Sequence, residues 1–496
     1  MPSITYNRFE GGLDLRQGAG VADANRLRVL KNAYVTTGKA IKKRPGLVLE
    51  ATFDDWVDEL DNKVGLFALG GKLATFSRRP TTGIADPDSR FISYEVTNPS
   101  GDYPVKGVYF ADFIAGETAS GYKTTPYPYV VTDWTGSGVS VYHNTIHEFV
   151  GYGTSYLVNE PYLGLFGQPD QIQALKKSNR MWIFSNDREN VFFCGLKDAR
   201  TWGIAPTTGA DPSFLGVASE QSGSSQATAL GEYGSKMVVF FADSAQIWFI
   251  DPDQTLNRLE QIIPIGTRHP YAHTTVGNDI LFLSPQGVRS ISQSSDIVGN
   301  LVETDIGSPV DAAITDVFGS NSPKAIYYRN AGQAWFYYGT KALVYTFSRT
   351  AKINAWSIYE FPITLEYVTQ LYGVLYIRSG QKVYSLSDTA YQDDGVDIDV
   401  SIELPFVDFK MAGVLKQILS MDVVFNGTAN IQHRFDSYDP TQITSAISLT
   451  GDSRARRTIP VELLAVNIAP VITHSANESF ELQALTYYFE SLGITP

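Results

Sequence analysis

Three acidic side chains, Glu232, Asp243 and Glu366, are the residues best suited by type to catalysis. Glycoside hydrolysis uses two carboxyl groups that flank the scissile bond, and a fold built from separate blades can bring such acids together. In this chain, however, the acidic residues lie mostly at predicted turns. The sequence therefore predicts no catalytic pair, and we expect no enzymatic activity.

Two motifs have spacings that metal sites use. His143 and His147 are four residues apart, which suits one metal ion only on a helix, whereas the residues around them are typical of a strand or loop. The segment from Asp251 to Thr255 resembles the start of a calcium loop, but it lacks the glycine at the sixth position and the glutamate at the twelfth. We interpret the histidines as surface residues and the acidic segment as a turn at a strand end, and we expect no metal ion.

Nucleophile and nucleotide-binding motifs are missing from the sequence. The single cysteine, Cys194, lies in the apolar stretch VFFCG and is expected to be a buried, inert thiol. The chain contains no Gly-x-Ser-x-Gly motif, P-loop or dinucleotide-binding fingerprint. One cysteine cannot form a disulfide within the chain, which is typical of proteins made in a reducing compartment. We expect no cofactor.

The basic corner formed by Lys42, Lys43 and Arg44 is the first candidate interaction surface. Pro45 removes a ladder donor and Gly46 relaxes the backbone, so a strand should end there. The basic residues could form a solvated edge that discourages aggregation, a docking surface for another protein, or a phosphate contact. We interpret the corner as part of a closing and docking element.

A second basic cluster consists of Arg454, Arg456 and Arg457 in a polar segment. It is either a solvated loop or a contact with a neighbouring subunit or an acidic partner. These arginines and the three residues of the basic corner are the six interface candidates.

Short strands must position these groups. Phe9 to Gly12 ends an alternating segment with two glycines. Leu27 to Val35 is apolar enough for a strand, and Lys39 to Lys43 is its return strand after the turn at Thr36 to Gly38. Helical periodicity is rare, and the best candidate helix is Asp54 to Asn62.

One motif recurs six times: a strand, a tight turn and a second strand that ends in a polar group. The copies are Val64–Ser77, Asn179–Gly195, Ser235–Asp251, Asn278–Ser292, Gln333–Ser348 and Gly373–Ser387. From the second copy onward the turns fall about 40–57 residues apart, which is close to the period of a four-stranded propeller blade. We therefore predict an all-β fold with a β-propeller of about six blades over residues 51–80 and 167–392.

Three further regions flank or interrupt the propeller. More than 100 residues separate the first two copies, which predicts an inserted β domain over residues 81–166. From about Asp393 the strands alternate over longer stretches, which predicts a C-terminal β-sandwich over residues 393–496. Residues 1–50 supply strands and a hairpin that close the propeller or dock.

Composition fits a large acidic β protein. The chain has 496 residues, of which 43% are hydrophobic and 12% aromatic, and its formal net charge is −13. Such a charge disfavours tight nonspecific nucleic-acid binding. Residues 1–20 lack the apolar core of a signal peptide, and the sequence contains no run of 18 apolar residues. We therefore expect a soluble, cytosolic product without stable membrane insertion.

Several positions together resemble the tail nozzle proteins of short-tailed bacteriophages, the tail tubular protein B or packaged-DNA-stabilising type. That family opens with Phe-x-Gly-Gly, here Phe9 to Gly12, continues with a strand carrying an asparagine, here Asn32, and reaches a basic corner, here Lys43 to Gly46. Residues Ser178–Gly203 are similar to its Asn-Arg-x-Trp strand pair, and residues 229–292 resemble its central blades. The resemblance is weaker in residues 81–166 and in the C-terminal region.

The resemblance implies a virion structural protein that forms a hexameric ring at the distal end of a short tail. One face would dock the tail adaptor, tail fibres or spikes would attach to the flank, and genomic DNA would pass through the lumen without specific binding. The protein would assemble in the host cytoplasm and reside in the virion tail. The alternatives are a carbohydrate-binding or glycan-cleaving β-propeller and another tail component, such as an adaptor or hub.

Overall fold

The computed structural model describes residues 2–16, 18, 23, 25–53, 63–77, 90–96, 105, 107–114, 117–118, 121–122, 127–133, 144–149, 155–157, 173–184, 187–220, 226–292, 306–439, 441–451 and 459–494. Within these ranges the chain is built almost entirely from β-strands, with a single α-helix, α1 (Asp311–Phe318). The predicted all-β class is confirmed. None of the helical residues in these ranges forms a segment long and apolar enough to cross a bilayer.

Seven strands occupy the N-terminal segment. They are β1 (Ser3–Tyr6), β2 (Gly12–Leu13), β3 (Arg26–Leu27), β4 (Val29–Lys31), β5 (Ala33–Val35), β6 (Ile41–Lys43) and β7 (Gly46–Thr52).

Seven sheets, numbered in chain order, follow. Sheet 1 contains β8 (Val64–Leu69), β9 (Lys72–Ser77) and β10 (Phe91–Glu95). Sheet 2 contains β11 (Gly107–Ile114), β14 (Tyr127–Asp133), β15 (Asn144–Phe149) and β16 (Ser155–Leu157), with a small ribbon of β12 (Glu117–Thr118) and β13 (Gly121–Tyr122) between its first two strands. Sheet 3 contains β17 (Ala174–Lys177), β18 (Arg180–Phe184), β19 (Asn190–Phe193) and β20 (Ser213–Gly216). Sheet 4 contains β21 (Ala229–Tyr233), β22 (Lys236–Phe240), β23 (Ala245–Phe249) and β24 (Arg258–Ile263).

The last three sheets contain the later hairpins. Sheet 5 contains β25 (His273–Val276), β26 (Asp279–Ser284) and β27 (Gly287–Ser290). Sheet 6 contains β28 (Lys324–Tyr328), β29 (Gln333–Tyr338), β30 (Lys341–Ser348) and β31 (Ile353–Glu360). Sheet 7 contains β32 (Tyr367–Leu371), β33 (Val374–Ser379), β34 (Lys382–Ser387) and the N-terminal β7, extended by β35 (Gln392–Asp393) and β36 (Val396–Asp397).

These sheets form a closed ring. Their first strands, β8, β11, β17, β21, β25, β28 and β32, contact one another in that order, and β32 contacts β8. The predicted β-propeller is confirmed, but its blade count differs from six: five blades have four strands, and two three-stranded sheets complete the ring. The six sequence repeats do not include sheet 2. Ten residues separate β14 from β15, so no short turn motif marks this hairpin in the sequence.

Sheet 2 also changes the interpretation of residues 81–166. Its first strand, β11, contacts β8 on one side and β17 on the other, as the first strands of the other sheets do. Strands β11, β14, β15 and β16 of this region therefore form a blade of the ring, and β10 belongs to sheet 1. A blade thus takes the place of much of the predicted inserted domain.

The propeller core lies in the wedges between neighbouring sheets. Between sheets 3 and 4, for example, Trp182 and Phe193 pack with Met237 and Trp248 in one buried cluster. The second strands of the blades supply many of the buried side chains, since β18 and β29 are buried along nearly their whole length. Apolar strands buried on both faces explain why the first strand of most sequence repeats is the more hydrophobic one.

Beyond the propeller lie β37 (Val400–Glu403), β38 (Val414–Arg434), β39 (Ile447–Gly451), β40 (Ile459–Ala465), β41 (Ala469–His474) and β42 (Glu481–Ile494). The long strand β38 belongs to two sheets: its first part pairs with β40 and β42, and its second part pairs with β39 and β41. The change occurs at Gly427, whose φ of 95° requires glycine. One buried cluster joins these strands to the N-terminal segment and to sheet 6.

The N-terminal segment divides between two parts of the fold. Strands β1 and β6 pair with β42, and β4 lies between β31 of the propeller and β37 of the C-terminal part. Strand β2 also pairs with β31, whereas β7 enters the last blade, where it pairs with β34 on one side and with β35 on the other. The predicted unit 1–50 is thus split: strands before Arg44 join the C-terminal part to sheet 6, and Gly46–Thr52 closes the ring.

Candidate functional site

The basic corner forms the joint between propeller, N-terminal segment and C-terminal part. Arg44 is 1% exposed. Its guanidinium donates two hydrogen bonds to Asp393 of β35, from Nη1 to Oδ1 at 2.9 Å and from Nη2 to Oδ2 at 2.5 Å. Nη2 also donates to the carbonyl of Glu360, and the guanidinium carbon lies 4.1 Å from the ring centre of Phe361. The planar fork of arginine suits this bidentate, stacked geometry.

Asn32 connects the joint to three backbone segments. It has a left-handed φ of 54°, a conformation that asparagine tolerates better than most residues. Its Oδ1 accepts from Arg44 Nε at 3.0 Å and from the Glu360 amide at 2.8 Å, and its Nδ2 donates to the carbonyl of Asp399 at 2.8 Å. One amide side chain thus fixes the end of β31, the corner and the start of the C-terminal part.

Lys43 is buried beside the joint, 3% exposed. Its ammonium donates to the carbonyl of Ala476 at 2.8 Å and lies 3.2 Å from Nε2 of His474. His474 Nδ1 lies 2.7 Å from the carbonyl of Thr428, which can only accept, so Nδ1 carries the proton and Nε2 accepts from Lys43. Burial lowers the pKa of Lys43 to about 8.

These positions correct the prediction that the whole corner is a docking edge. Lys43 and Arg44 are covered by their own chain and are unavailable to a partner. The sequence could not distinguish an exposed from a buried basic corner, because the partner Asp393 lies 349 residues away. Only Lys42, whose side chain alternates to the other face of β6, remains an interface candidate there.

Lys42 lines a groove of about 1030 Å³, called here the hairpin groove. Its walls are the β5–β6 hairpin, sheets 6 and 7, and the start of β42. Tyr34 and Tyr328 lie in the groove with the carboxylates of Asp388 and Glu481. Burial, together with these two carboxylates, raises the pKa of Tyr34 to about 12. The groove therefore offers one lysine, hydroxyl groups and carboxylates to a partner, which is a surface for polar docking.

The second basic cluster, Arg454, Arg456 and Arg457, lies outside the described residues. So does the candidate helix Asp54 to Asn62.

The three carboxylates proposed for catalysis do not form a pair. Glu232 on β21 lies opposite Met237, near the start of β22, whereas Asp243 follows the end of β22. Because each strand residue adds more than about 3 Å, the two acids lie more than about 10 Å apart. Glycosidase carboxyl pairs are about 5–9.5 Å apart. Glu366 precedes β32 of sheet 7, with sheets 5 and 6 between it and Asp243. Glu232 instead pairs with Lys177 at 2.7 Å.

The remaining chemistry candidates have structural roles where they are described. Asp251 accepts from the Asp253 amide, and Asp253 caps a 3-10 turn by accepting from the Thr255 amide, which confirms the predicted strand-end turn. Cys194 is fully buried, and burial raises the pKa of its thiol to about 12, so it is inert as predicted. His143 lies outside the described residues. In the described ranges no three His, Cys, Asp or Glu side chains gather around a possible metal position.

The centre of the propeller is bridged by aromatic rings. Tyr109 near the start of β11 and Tyr271 just before β25 stack with ring centres 6.2 Å apart and planes 16° apart. Two sheets separate β11 from β25 in the ring, so the stack crosses the propeller axis. Gln173 before β17 links three consecutive sheets, since its side chain donates to the carbonyl of Pro270, just before sheet 5, and accepts from the Leu230 amide of sheet 4.

Sequence reasoning missed these central residues and Asp393. Asn32 was noticed only through the family resemblance. Nothing local marks Asp393 or the tyrosine pair, because their partners lie far away along the chain, and only the ring geometry brings them together.

Comparisons with known proteins give weak similarities. No family model and no curated protein matches the sequence. The extracellular domain of a one-component system protein from B. thetaiotaomicron is 12% identical with a TM-score of 0.35, and the match covers 99% of this chain but 57% of that one. An exo-β-1,3-galactanase from Phanerochaete chrysosporium is 10% identical over 76% of this chain and 100% of its own, with a TM-score of 0.25. BamB from Moraxella catarrhalis is 11% identical over 55% and 82%, with a TM-score of 0.29. Scores this low carry no functional conclusion.

Proposed function

We propose that this chain is a virion structural protein, the nozzle at the distal end of a short phage tail. In this proposal six copies form a ring that continues the DNA-ejection channel, and the ring is anchored to the tail adaptor. Tail fibres or spikes attach to its flank.

The observation that carries the proposal is the position of the nozzle-like residues. Phe9 is fully buried, Gly12 packs against β31, and Asn32 and Arg44 form the joint described above. A Cβ on Gly46 would lie 2.2 Å from the Gln392 carbonyl, so close packing requires glycine at that position. The family-like residues of the N-terminal segment are thus buried where that segment packs, Gly12 against β31 and Asn32, Arg44 and Gly46 at the joint. A joint made of a buried ion pair and hydrogen bonds suits a structural ring that must keep its shape.

The closed propeller centre supports a channel between subunits. A DNA duplex is wider than its major groove of about 12 Å, whereas the Tyr109 and Tyr271 rings meet across the axis of the propeller. In our proposal the DNA therefore passes through the lumen of the six-copy ring. With a net charge of −13 per copy, the ring would repel the phosphate backbone and let DNA slide without specific binding.

The hairpin groove is the proposed docking surface for the adaptor or a neighbouring subunit. It contains Lys42, the accessible member of the basic corner, beside Asp388 and Glu481. Groups of both charge signs allow paired contacts across an interface, which favour specific partners more than strong binding.

Electron microscopy of the purified protein and of phage particles tests the proposal. We expect a sixfold ring with an axial channel wide enough for duplex DNA, located at the distal end of the tail. A stable monomer that never enters virions would contradict it. Turnover or binding of glycans by such a monomer would support the alternative of a carbohydrate-active propeller, and a ring at the top of the tail would indicate an adaptor.

A further inference from the structure

A second cavity opens at the propeller centre, at the end where the first strands begin. It encloses about 640 Å³ between sheets 6, 7 and 1. Its wall includes Lys324 at the start of β28, Glu366 before β32, Arg378 on β33 and Tyr337 on β29. We call it the basic cavity, because three of its lining side chains, Lys63, Lys324 and Arg378, are cations in a strongly acidic chain.

Arg378 is held rigidly with part of its guanidinium unsatisfied. The residue is 3% exposed, its Nη1 donates to the Gly65 carbonyl at 2.8 Å, and its Nε donates to the Gly380 carbonyl at 2.9 Å. Both acceptors are neutral carbonyls. Its second terminal nitrogen, Nη2, has no hydrogen-bond acceptor among the described residues, so a buried cation presents a free donor to the cavity.

Lys324 adds a second cation from the neighbouring blade. Its ammonium donates to the backbone carbonyl of Glu366 at 2.8 Å and lies 4.6 Å from the ring centre of Tyr367. An ammonium has three donors, and one of them is used here. Burial lowers the pKa of Lys324, whereas the nearby Glu366 charge opposes that shift.

The neighbouring groups do not neutralise the pair. One oxygen of the Glu366 carboxylate accepts from the Gly380 amide at 3.1 Å, so that oxygen is engaged by the backbone and not by either cation. Tyr337, another residue of the wall, is buried, and burial raises the pKa of its hydroxyl, which therefore stays protonated. Three cations, Lys63, Lys324 and Arg378, and a single carboxylate, that of Glu366, thus line the space together with several tyrosines, an arrangement suited to an oxyanion with several acceptor atoms.

We propose that the basic cavity binds a small oxyanion of the phosphate type, with Arg378 and Lys324 as its principal ligands. The arginine fork presents donors in the geometry that phosphate oxygens accept, and the lysine supplies a second charge from the adjacent blade. Such an anion would tie sheet 6 to sheet 7 at the propeller centre. This site does not depend on the nozzle function.

Isothermal titration of the full chain with inorganic phosphate at constant ionic strength tests the proposal. We expect saturable binding at one site per chain, and weaker binding of acetate, which offers fewer acceptor oxygens. Lys324→Met should weaken phosphate affinity at least tenfold. Lys382→Met, on the exposed start of β34 in the same blade, is the matched control and should bind phosphate normally.

Arg378→Lys provides a second test, because it keeps the charge but loses the fork. We expect it to weaken phosphate binding while circular dichroism shows a folded chain. The proposal is overturned if the wild-type chain shows no saturable phosphate binding, or if folded Lys324→Met binds phosphate as tightly as wild type. Neither result would bear on whether the protein forms a sixfold ring.

Discussion

Arg44 and Asp393 lie 349 residues apart in the sequence and form a bidentate ion pair in which both side chains are at most 2% exposed. The pair joins the end of β6 to β35 of the last blade. Since β7 begins two residues after Arg44, the strand that closes the propeller is tied at its first turn to the sheet it completes.

Replacing Arg44 by methionine should destabilise the protein strongly. The substitution leaves the Asp393 carboxylate buried without its partner, and removing one member of a buried pair costs about 3–5 kcal/mol. Urea unfolding followed by tryptophan fluorescence measures the change. The control is Arg258→Met, whose side chain is 65% exposed beside Glu260 and should change stability by less than about 1 kcal/mol. Equal effects of the two variants would show that the joint contributes little.

Gly12→Ala should be more destabilising than Gly380→Ala, although both glycines have a φ of 56°. A Cβ at Gly12 would lie 2.7 Å from Ala355 Cα, whereas a Cβ at Gly380 meets nothing within 4 Å. The left-handed conformation costs an alanine about 1–2 kcal/mol at either site, and Gly12→Ala adds the clash with β31. The difference in free energy of unfolding between the two variants isolates that clash. If it is zero, the N-terminal segment is not packed as described.

Acid should destabilise the protein between pH 6.5 and 4. His433 is fully buried with its Nε2 2.8 Å from the Tyr487 hydroxyl, and burial lowers its pKa to about 4. In the unfolded chain the pKa of His433 is about 6.5. Its buried, neutral form therefore contributes fully to the free energy of unfolding above that pH, and the contribution is lost as pH falls toward 4. The loss amounts to about 3 kcal/mol. Urea unfolding at pH 7 and pH 5 should show a smaller difference for His433→Gln than for wild type, and an unchanged difference would assign the acid sensitivity to other groups.

If the protein is the nozzle that we propose, Lys42→Glu should weaken docking of the adaptor or a neighbouring subunit in the hairpin groove while leaving the fold largely intact. The register partner of Lys42 on β42 is Glu481, and two like charges directly opposite cost up to about 1 kcal/mol. Pull-down of the adaptor and the yield of sixfold rings in negative stain measure docking. Lys410→Glu, at an exposed turn, is the control. Normal rings and adaptor capture with Lys42→Glu would show that this lysine is merely solvated.

The tyrosine stack should appear as a coupling energy. In a double-mutant cycle of Tyr109→Ala and Tyr271→Ala, the rings at 6.2 Å should give about 0.5–1.5 kcal/mol of interaction. Additive effects would mean that the rings do not meet in solution.

Local patterns predicted much of this architecture. Alternation and tight turns located six of the hairpins, since turns such as Gly70–Gly71 adopt the paired positive φ values of a two-residue hairpin loop. The same patterns did not reveal sheet 2, because a long connection joins its strands β14 and β15. They also could not assign the first strands of the chain to β42, because pairing across more than 470 residues leaves no periodic trace.

The candidate site was predictable only in part. The basic corner was found, but the burial of Lys43 and Arg44 depends on Ala476 and Asp393, which come from distant strands. The basic cavity was not anticipated at all. Lys324 and Arg378 look like ordinary solvated cations in sequence, and only the meeting of two blades places them around one space.

The pairing of β1 with β42 has a consequence for how the chain is made. Tyr6 aligns with Leu485 and Ser3 with Tyr488, so β1 is synthesised more than 470 residues before the strand with which it pairs. Contacts of such sequence separation form late and slowly. The middle blades can fold during synthesis, whereas β1 gains its partner only after residue 488 has left the ribosome. Chains that terminate before β42 would then lack this pairing, which would exclude them from any assembly that requires it.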